Sequence, residues 1–456
     1  VAWNCACGRL IAGRVKTMTD GQNRIGVRRE DKSRWERRVP LVPEDVAMLR
    51  DRHGIEVVIQ PSDIRIFPDE AYRRAGAVVA EDLSSCPAIL AIKEIPVDLV
   101  MPGKTYVFFS HTVKGQPHNM PLLRRLMREK CQLIDHERVV DEQGRRLLFF
   151  GKHAGIAGMA DTLWSLGQRL KVEGISNPWE KAQPAHKYES IEDLQRVVTE
   201  IGRHIATNGV PPAIAPLVIG FAGYGNVSQG AQGIIDSWPI EEVAPARLAG
   251  EGTAGLDDPK KVYKTVFKED DMVIPRDTGM SFELDDYYRH PEKYKSRFDD
   301  YTPHLSVLVN CIYWDRQYPR LVTKDFLKKL FAPGRVPRLK VIGDISCDVE
   351  GSIEATLKAT QPDNPVYVYD TEENQARDGF VGRGPVIMAV DILPSELPRS
   401  ASCDFSMVLR EFVPEIVAAD FSAEFADCRL SGPVKRAAIL YHGELTPDYQ
   451  FMRKFI

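Results

Sequence analysis

Leu217–Gln232 reads LVIGFAGYGNVSQGAQ, and the rest of the chain can be placed relative to it. The apolar run Leu217–Ala222 has the length of a buried strand, Gly223-Tyr-Gly225 breaks it, and Asn226–Asp236 is compatible with a helix. A strand, a tight glycine turn and a helix are thus expected in succession. Gly223 permits the turn. Gly225, having no Cβ, lets the backbone approach a pyrophosphate held on the N–H groups and positive dipole end of a helix opened by Asn226, Val227 and Ser228. Ser228 takes the third small position of the glycine pattern, and the next glycine is Gly230. Many such turns bind nothing, so the turn needs support from its surroundings.

That support lies on both sides. Asn208–Pro216, NGVPPAIAP, is loop-like and introduces a new domain. Downstream, Ile240–Val243 is expected as the second strand of a nucleotide fold. An acid at the end of that strand would favour NAD. Here Glu241 and Glu242 lie inside the run, which ends on Val243-Ala-Pro245 with Arg247 nearby, and this tilts the choice to NADP. Gly250–Pro303 is polar and tyrosine-rich, and reads as loops and helices inserted in the domain. Ser306–Asn310 and Leu339–Ile342 are further strands. The second leads to Asp344 and Asp348, which are expected to hydrogen-bond beside the cofactor, since no third ligand with metal-site spacing accompanies them.

A chain of 456 residues is long for one domain and comfortable for two. Its 43% hydrophobic and 27% charged residues describe an ordinary globular protein, and a formal charge of -4 argues against a nucleic-acid partner. No run of about 20 uncharged apolar residues is present, so no membrane span is expected. Eight cysteines are scattered, and Cys5-Ala-Cys7 lacks the spacing of a zinc site. Free thiols in a reducing, cytoplasmic compartment are the expectation. Arg9, Arg14 and Lys16 without an acid resemble a transit peptide, which makes the mitochondrial matrix the alternative, although Met18 can equally be read as the natural start.

Before the glycine turn the chain has a βαβ rhythm. Arg24–Arg28 is a strand leading into RREDKSRWERR at 28–38, where five arginines and a lysine face three acids. Arginine forks match carboxylates in a bidentate way, so anionic small molecules are natural partners. Helix Pro43–Arg50, strand Ile55–Gln60 and helix Asp69–Ala75 follow. The strand beginning at Ala88 then ends on Lys93 and Glu94, and the strand Thr105–Ser110 ends on His111. Charged groups where apolar strands stop are the usual ligand positions of open α/β sheets. Helix Met120–Glu129 and strand Gln132–Asp135 lead to Glu137. Arg145 and Arg146 open an expected strand Leu147–Gly151, and a helix from Gly155 to about Leu170, rich in small residues, crosses to the second domain. His136 and His153 are read as incidental. The expected division is 24–153 with 355–456 as a substrate and catalytic domain, and 154–354 as the dinucleotide domain. The tail from about Gln361 is expected to pack on the first of these.

With these segments in place the chain resembles the lysine-forming saccharopine dehydrogenases, and specifically the lysine-ketoglutarate reductase half of the bifunctional aminoadipic semialdehyde synthases of animals and plants. The stretches that carry the resemblance include WERRVPLVP at 35–43, FFSHTVKGQ at 108–116, AHKYES at 185–190, GYGNVSQGAQ at 223–232, GDISCDVEGSIE at 343–354 and VDILPSELP at 390–398. The resemblance implies an α/β fold of two Rossmann-like domains with parallel sheets, similar to alanine dehydrogenase, with the active site in the interdomain cleft. It implies NADPH-dependent, reversible condensation of L-lysine with 2-oxoglutarate to saccharopine, with NADP rather than NAD as cofactor and a possible homo-oligomer. Lys93 and His111 take the family's catalytic positions. Arg38 and Arg146 take its substrate arginines, Glu94 and Glu137 its acidic partners, and Arg28 falls close to the same pocket. An alanine-dehydrogenase-like activity and a non-catalytic NAD(P) sensor are the alternatives.

Overall fold

The computed structural model describes residues 23–456, so the readings placed on Cys5, Cys7, Arg9, Arg14, Lys16 and Met18 lie outside the described residues. Two compact units emerge. The first comprises residues 23–32, Val39–Leu148 and Ser406–Ile456; the second comprises Ser33–Arg38 and Phe149–Phe405.

The first unit is built on six parallel strands: β1 Arg24–Val27, β2 Glu56–Ile59, β3 Val78–Val79, β4 Ala88–Leu90, β5 Thr105–Phe108 and β6 Gln132–Asp135. They lie in the order β3-β2-β1-β4-β5-β6. The winding therefore reverses between β1 and β4, and the carboxyl ends of strands at such a reversal are where open α/β sheets bind ligands. Helices α1 Pro43–His53, α2 Asp69–Arg74 and α3 Met120–Arg128 make crossovers. The ends of α1 follow from its residues. Proline starts it, Glu44 and Asp45 sit in the first turn, Arg50, Arg52 and His53 sit in the last, and Gly54 stops it at φ 63.

The second unit opens with α4 Gly151–Val172 and α5 Ile191–Asn208, followed by β7 Leu217–Ala222, α6 Asn226–Ile234, β8 Ile240–Glu242, α7 Pro245–Glu251 and β9 Val262–Phe267. A small hairpin of β10 Val273–Pro275 and β11 Tyr294–Ser296 stands apart from the main sheet. The sheet continues with β12 Val307–Asn310, β13 Val341–Asp344, β14 Val366–Asp370, β15 Gln375–Asp378 and β16 Val386–Met388. The strand order is β15-β14-β16-β13-β12-β7-β9-β8, parallel except for the antiparallel edge β14 and β15. Along β7, Leu217, Ile219 and Phe221 pack into one apolar cluster with α4, α5 and α6, while Val218 and Ala222 pack into another on the opposite face. A strand covered on both sides reads as an unbroken apolar run, which is why this one was legible. The last strands, β17 Ala438–Tyr441 and β18 Glu444–Leu445, return to the first sheet, where β17 pairs antiparallel with β6.

Four expectations are corrected. The tail from Gln361 joins the first unit only from Ser406 onward: before that, β14 and β16 extend the second sheet, because Val366 and Val368 feed one of its apolar clusters and Tyr367 and Tyr369 the other. Residues 355–405, assigned to the catalytic domain by the expected division, therefore belong with the dinucleotide unit, as do Ser33–Arg38 and Phe149–His153. No strand forms over Leu147–Gly151: Arg146 makes an isolated bridge to Val140, and α4 starts at Gly151. Finally, Gly250–Pro303 is not all loop and helix. It holds β9, the strand that lies beside β7 along its whole length, and this displaces β8 to the sheet edge.

Candidate active site

Gly223 sits at φ +93, a conformation that a residue with a Cβ rarely adopts, and its N–H donates to the Phe267 carbonyl at 2.9 Å, tying the turn to the end of β9. Gly225 caps α6. A Cβ built there would meet nothing within 4 Å, so open space lies above the turn, as a dinucleotide phosphate would require. The turn lines a cavity of about 330 Å³ together with Tyr224, Glu269, Tyr288 and Trp314. Asn226, Val227 and Ser228 form the first turn of the helix. The Ser228 hydroxyl is buried and accepts from Gln232 Nε2 at 2.9 Å, so Ser228 contributes its backbone to the cradle. The residues fit a nicotinamide dinucleotide.

Three of the predicted cofactor residues have other settings. Arg247 is on α7, after the edge strand, where it pairs with Glu251 at 3.5 Å and donates to the Ala254 carbonyl. Because β9 and not β8 adjoins β7, the end of the second nucleotide strand is Phe267-Lys268-Glu269. Asp344 is fully buried and acts as a strut: it accepts from Asn310 Nδ2 at 2.8 Å and from Thr356 Oγ1, and burial pushes its carboxyl up to about 6. Asp348 is exposed. Among the described residues no cluster of His, Cys, Asp or Glu could hold a metal ion, and no helix is long and apolar enough to cross a membrane.

In the first unit the sheet brings Lys93, Glu94 and His111 together past the ends of β4 and β5. His111 Nδ1 lies 2.5 Å from Glu94 Oε1, and Lys32 Nζ donates to Glu94 Oε2 at 2.8 Å. Burial works to raise the Glu94 carboxyl, but the His111 and Lys32 hydrogen bonds outweigh it and hold it at about 2. Because this lies below the usual carboxylate range, the stabilisation is complete above about pH 4.5 and is lost as pH falls toward 2. A carboxylate on Nδ1 selects the tautomer that leaves Nε2 as the working nitrogen.

His111 adopts φ 52, unusual for a residue with a side chain. Two groups hold it there. Asn119 Nδ2 donates to the His111 carbonyl at 2.9 Å, and the neighbouring Ser110 donates through both N–H and hydroxyl to Asp135. Burial raises Asp135 to about 6. Lys93 is half-buried, and its backbone N–H, with that of Ile92, donates to Glu30 at 3.0 and 2.6 Å. Asp135 and Glu30 were missed by the sequence reading, although Asp135, like His111, stands where a strand stops.

The remaining predicted residues are paired. Arg146 donates to Glu137 at 2.6 Å. Arg28 is buried against Asp31 and the Arg29 carbonyl. Arg38 belongs to the second unit, where its fork meets Glu36 at 2.7 and 2.5 Å and its guanidinium carbon lies 4.3 Å from the centre of the Phe150 ring. His136 is fully buried, and burial lowers it to about 3, so it stays neutral at physiological pH.

Comparison with known proteins places this geometry in a lineage. The alanine dehydrogenase/PNT N-terminal domain family matches residues 26–157. The alpha-aminoadipic semialdehyde synthase of Arabidopsis thaliana is 39% identical over 95% of this chain and 41% of its own length. The mitochondrial form of Bos taurus is 35% identical over 94% of this chain and 47% of its own. The chain therefore spans less than half of these relatives. The saccharopine dehydrogenase [NAD(+), L-lysine-forming] of Emericella nidulans is 27% identical over 85% of this chain and 91% of its own. A solved L-alanine dehydrogenase superposes with TM-score 0.60 over 94% of this chain and 99% of its own, at 18% identity. The chain is thus homologous to the alpha-aminoadipic semialdehyde synthases and to the lysine-forming saccharopine dehydrogenases, on the fold of alanine dehydrogenase.

Proposed function

We propose that this chain is an oxidoreductase that condenses L-lysine with 2-oxoglutarate and reduces the product to saccharopine, using NADPH. The observation that carries this reading is the His111–Glu94 pair beside Lys93, at the strand ends next to the winding reversal of the first sheet. The lysine ε-ammonium must lose a proton before its nitrogen attacks the keto carbon. His111 Nε2 accepts that proton while Nδ1–H stays on Glu94, which stabilises the imidazolium so formed. The same nitrogen then returns the proton to the hydroxyl of the addition product, and water leaves to give the imine. Lys93 shares the proton traffic beside His111. When bound at the glycine turn, the reduced cofactor supplies the hydride that completes the reaction. Arg38 and Arg146 receive substrate carboxylates, exchanging Glu36 and Glu137 for them.

The test is to follow NADPH and NADH consumption with lysine plus 2-oxoglutarate, against ammonia plus pyruvate. Turnover only with the second pair would move the assignment to an alanine-dehydrogenase-like activity, and binding without turnover to a sensor. Arg38→Ala is expected to raise the 2-oxoglutarate KM by at least about tenfold, the loss of one charge-assisted contact, while the NADPH KM stays near its parent value. Equal effects on both would rule out a carboxylate role.

The choice of NADPH is supported by Lys268, which follows β9 and holds its Nζ 5.9 Å from the Tyr224 ring centre at the glycine turn, available to a 2′-phosphate. NADH is the second reading, favoured by Glu269, which lines the cavity and accepts from the Tyr288 hydroxyl at 2.8 Å. Lys268→Ala is expected to raise the NADPH KM about tenfold and leave that of NADH unchanged. If NADH alone is oxidised, and Glu269→Gln abolishes the preference, the second reading holds.

A further inference from the structure

Two stretches that carry the family resemblance but no part of the proposed chemistry, AHKYES and VDILPSELP, meet α4 in one buried polar knot of the second unit. Asp161 of α4 accepts from the Ala185 N–H at 2.7 Å, and Glu396, in the turn Leu393–Glu396, accepts from the His186 N–H at 3.2 Å. Both acids are shielded from solvent, and Asp161 Oδ2 and Glu396 Oε1 receive no donor, although the two carboxyl groups lie within hydrogen-bonding reach of each other. Ionised carboxylates only accept, so this contact becomes a bond only when one of them carries a proton. Burial first, and then the charge of Glu396, raise Asp161 well above the ordinary range, and burial raises Glu396 to about 7.

The knot reaches outward through His186. Its Nδ1 lies 3.6 Å from Glu396 Oε2, and its ring meets Trp35 edge-on at 5.2 Å. Trp35 is the residue before Glu36, whose carboxylate grips Arg38. Arg34 lies 4.9 Å from the Trp35 ring centre and pairs with Asp363. The charged and titratable groups around the knot are therefore Asp161, Glu396, His186, Lys187, Tyr188, Asp363 and Arg34. Burial lowers His186 below its ordinary value, and Lys187 lowers it further against the pull of Asp161 and Asp363, so the imidazole is neutral near pH 7.

We propose that Asp161 and Glu396 share one proton and act as positioning residues for Arg38, holding the segment Ser33–Arg38 through His186 and Trp35 in the arrangement that receives a substrate carboxylate. The proposal rests on the reading of Arg38 given above. Its direction with pH follows from the raised carboxyls. Glu396, helped by the hydrogen bond from Asp161, ionises as pH rises through about 7, and the one proton left in the pair stays on Asp161, which burial and the charge of Glu396 hold well above the ordinary range. Only when that last proton leaves, on the alkaline side of 7, do two buried anions repel and the His186 turn lose its set against Trp35.

Two readouts test this. The first is intrinsic fluorescence from pH 5.5 to 9 without substrates, taken as the difference between the parent chain and Trp35→Phe. The second is the KM for 2-oxoglutarate over the same range. The parent is expected to show a Trp35 transition on the alkaline side of 7, where Asp161 gives up the last proton, and a KM that rises about tenfold across that transition as the competent fraction falls, with the NADPH KM flat. Glu396→Gln supplies a permanent amide donor to Asp161 and is expected to flatten both curves at their low-pH values. No transition on the alkaline side of 7, or one that persists in Glu396→Gln, overturns the shared proton. A flat 2-oxoglutarate KM in a parent that shows the transition overturns the link to Arg38. If the chain does not turn over lysine and 2-oxoglutarate at any pH, the functional reading fails by itself and takes the Arg38 link with it, while the fluorescence arm still decides the proton.

Discussion

His111→Ala is expected to turn over lysine and 2-oxoglutarate about 10²–10⁴-fold more slowly than the parent chain, the usual worth of one positioned proton carrier, while the Kd for NADPH stays within about twofold. On the proposed mechanism the loss falls on kcat because Nε2 takes the ammonium proton and returns it to the departing hydroxyl, and the variant offers only water in its place. Cofactor binding is spared because the glycine turn, Gly223 to Gly225, belongs to the second unit, and His111 to the first. Stopped-flow measurement of single-turnover NADPH oxidation, with cofactor binding followed separately by fluorescence, checks both halves. A variant with parent-like single turnover would remove His111 from the proton path. Glu94→Gln is a useful companion, since an amide can hold Nδ1 but brings no charge to stabilise the imidazolium.

Gly155→Ala is the second large effect. The backbones of α4 and α6 touch: a Cβ on Gly155 would stand 1.9 Å from the Val227 carbonyl oxygen, and one on Gly230 would stand 2.2 Å from that of Lys152. Neither obstacle is the movable end of a side chain, so the helices must separate to admit a single methyl. Overpacking of this kind costs about 3 kcal/mol or more, which for a domain of this size lowers Tm by roughly 6–12 °C. The helix that must shift is the one whose amino end is proposed to cradle the cofactor phosphates, so on that reading NADPH binding should weaken with stability. Ala157→Gly on the same helix serves as the control. A Gly155→Ala variant with unchanged Tm and unchanged NADPH affinity would show that the helices are not in contact.

The parts of the fold that were legible are those whose surroundings are simple. β7 and β12 are covered on both faces and read as apolar runs, and α1 and α5 carry their end signals within their own sequence. β9 was missed because Val262-Tyr-Lys-Thr-Val-Phe267 places Lys264 inside a central strand, where its stem is covered and its ammonium reaches Glu242 at 2.8 Å. That one omission carried the ribose-end reading to Arg247, on the wrong side of the sheet edge. At the candidate catalytic cluster Lys93 and His111 were picked out by their positions after apolar runs. Glu30, Asp135, Asp161 and Glu396 were not visible, because what makes a buried acid informative is its neighbours, and these come from residues 24 to 210 positions away.

The discontinuous course of the chain dictates an order of assembly. The second sheet can close once residue 388 has been made, whereas the first lacks β17 and β18 until residue 445. During synthesis, therefore, the portion begun earliest is finished last. The nascent β6 edge stays open to stray pairing while some 300 residues are translated, at roughly 5–20 residues per second. A shortened product ending near residue 405 would keep a complete nucleotide half and a permanently frayed partner, prone to aggregate through that edge.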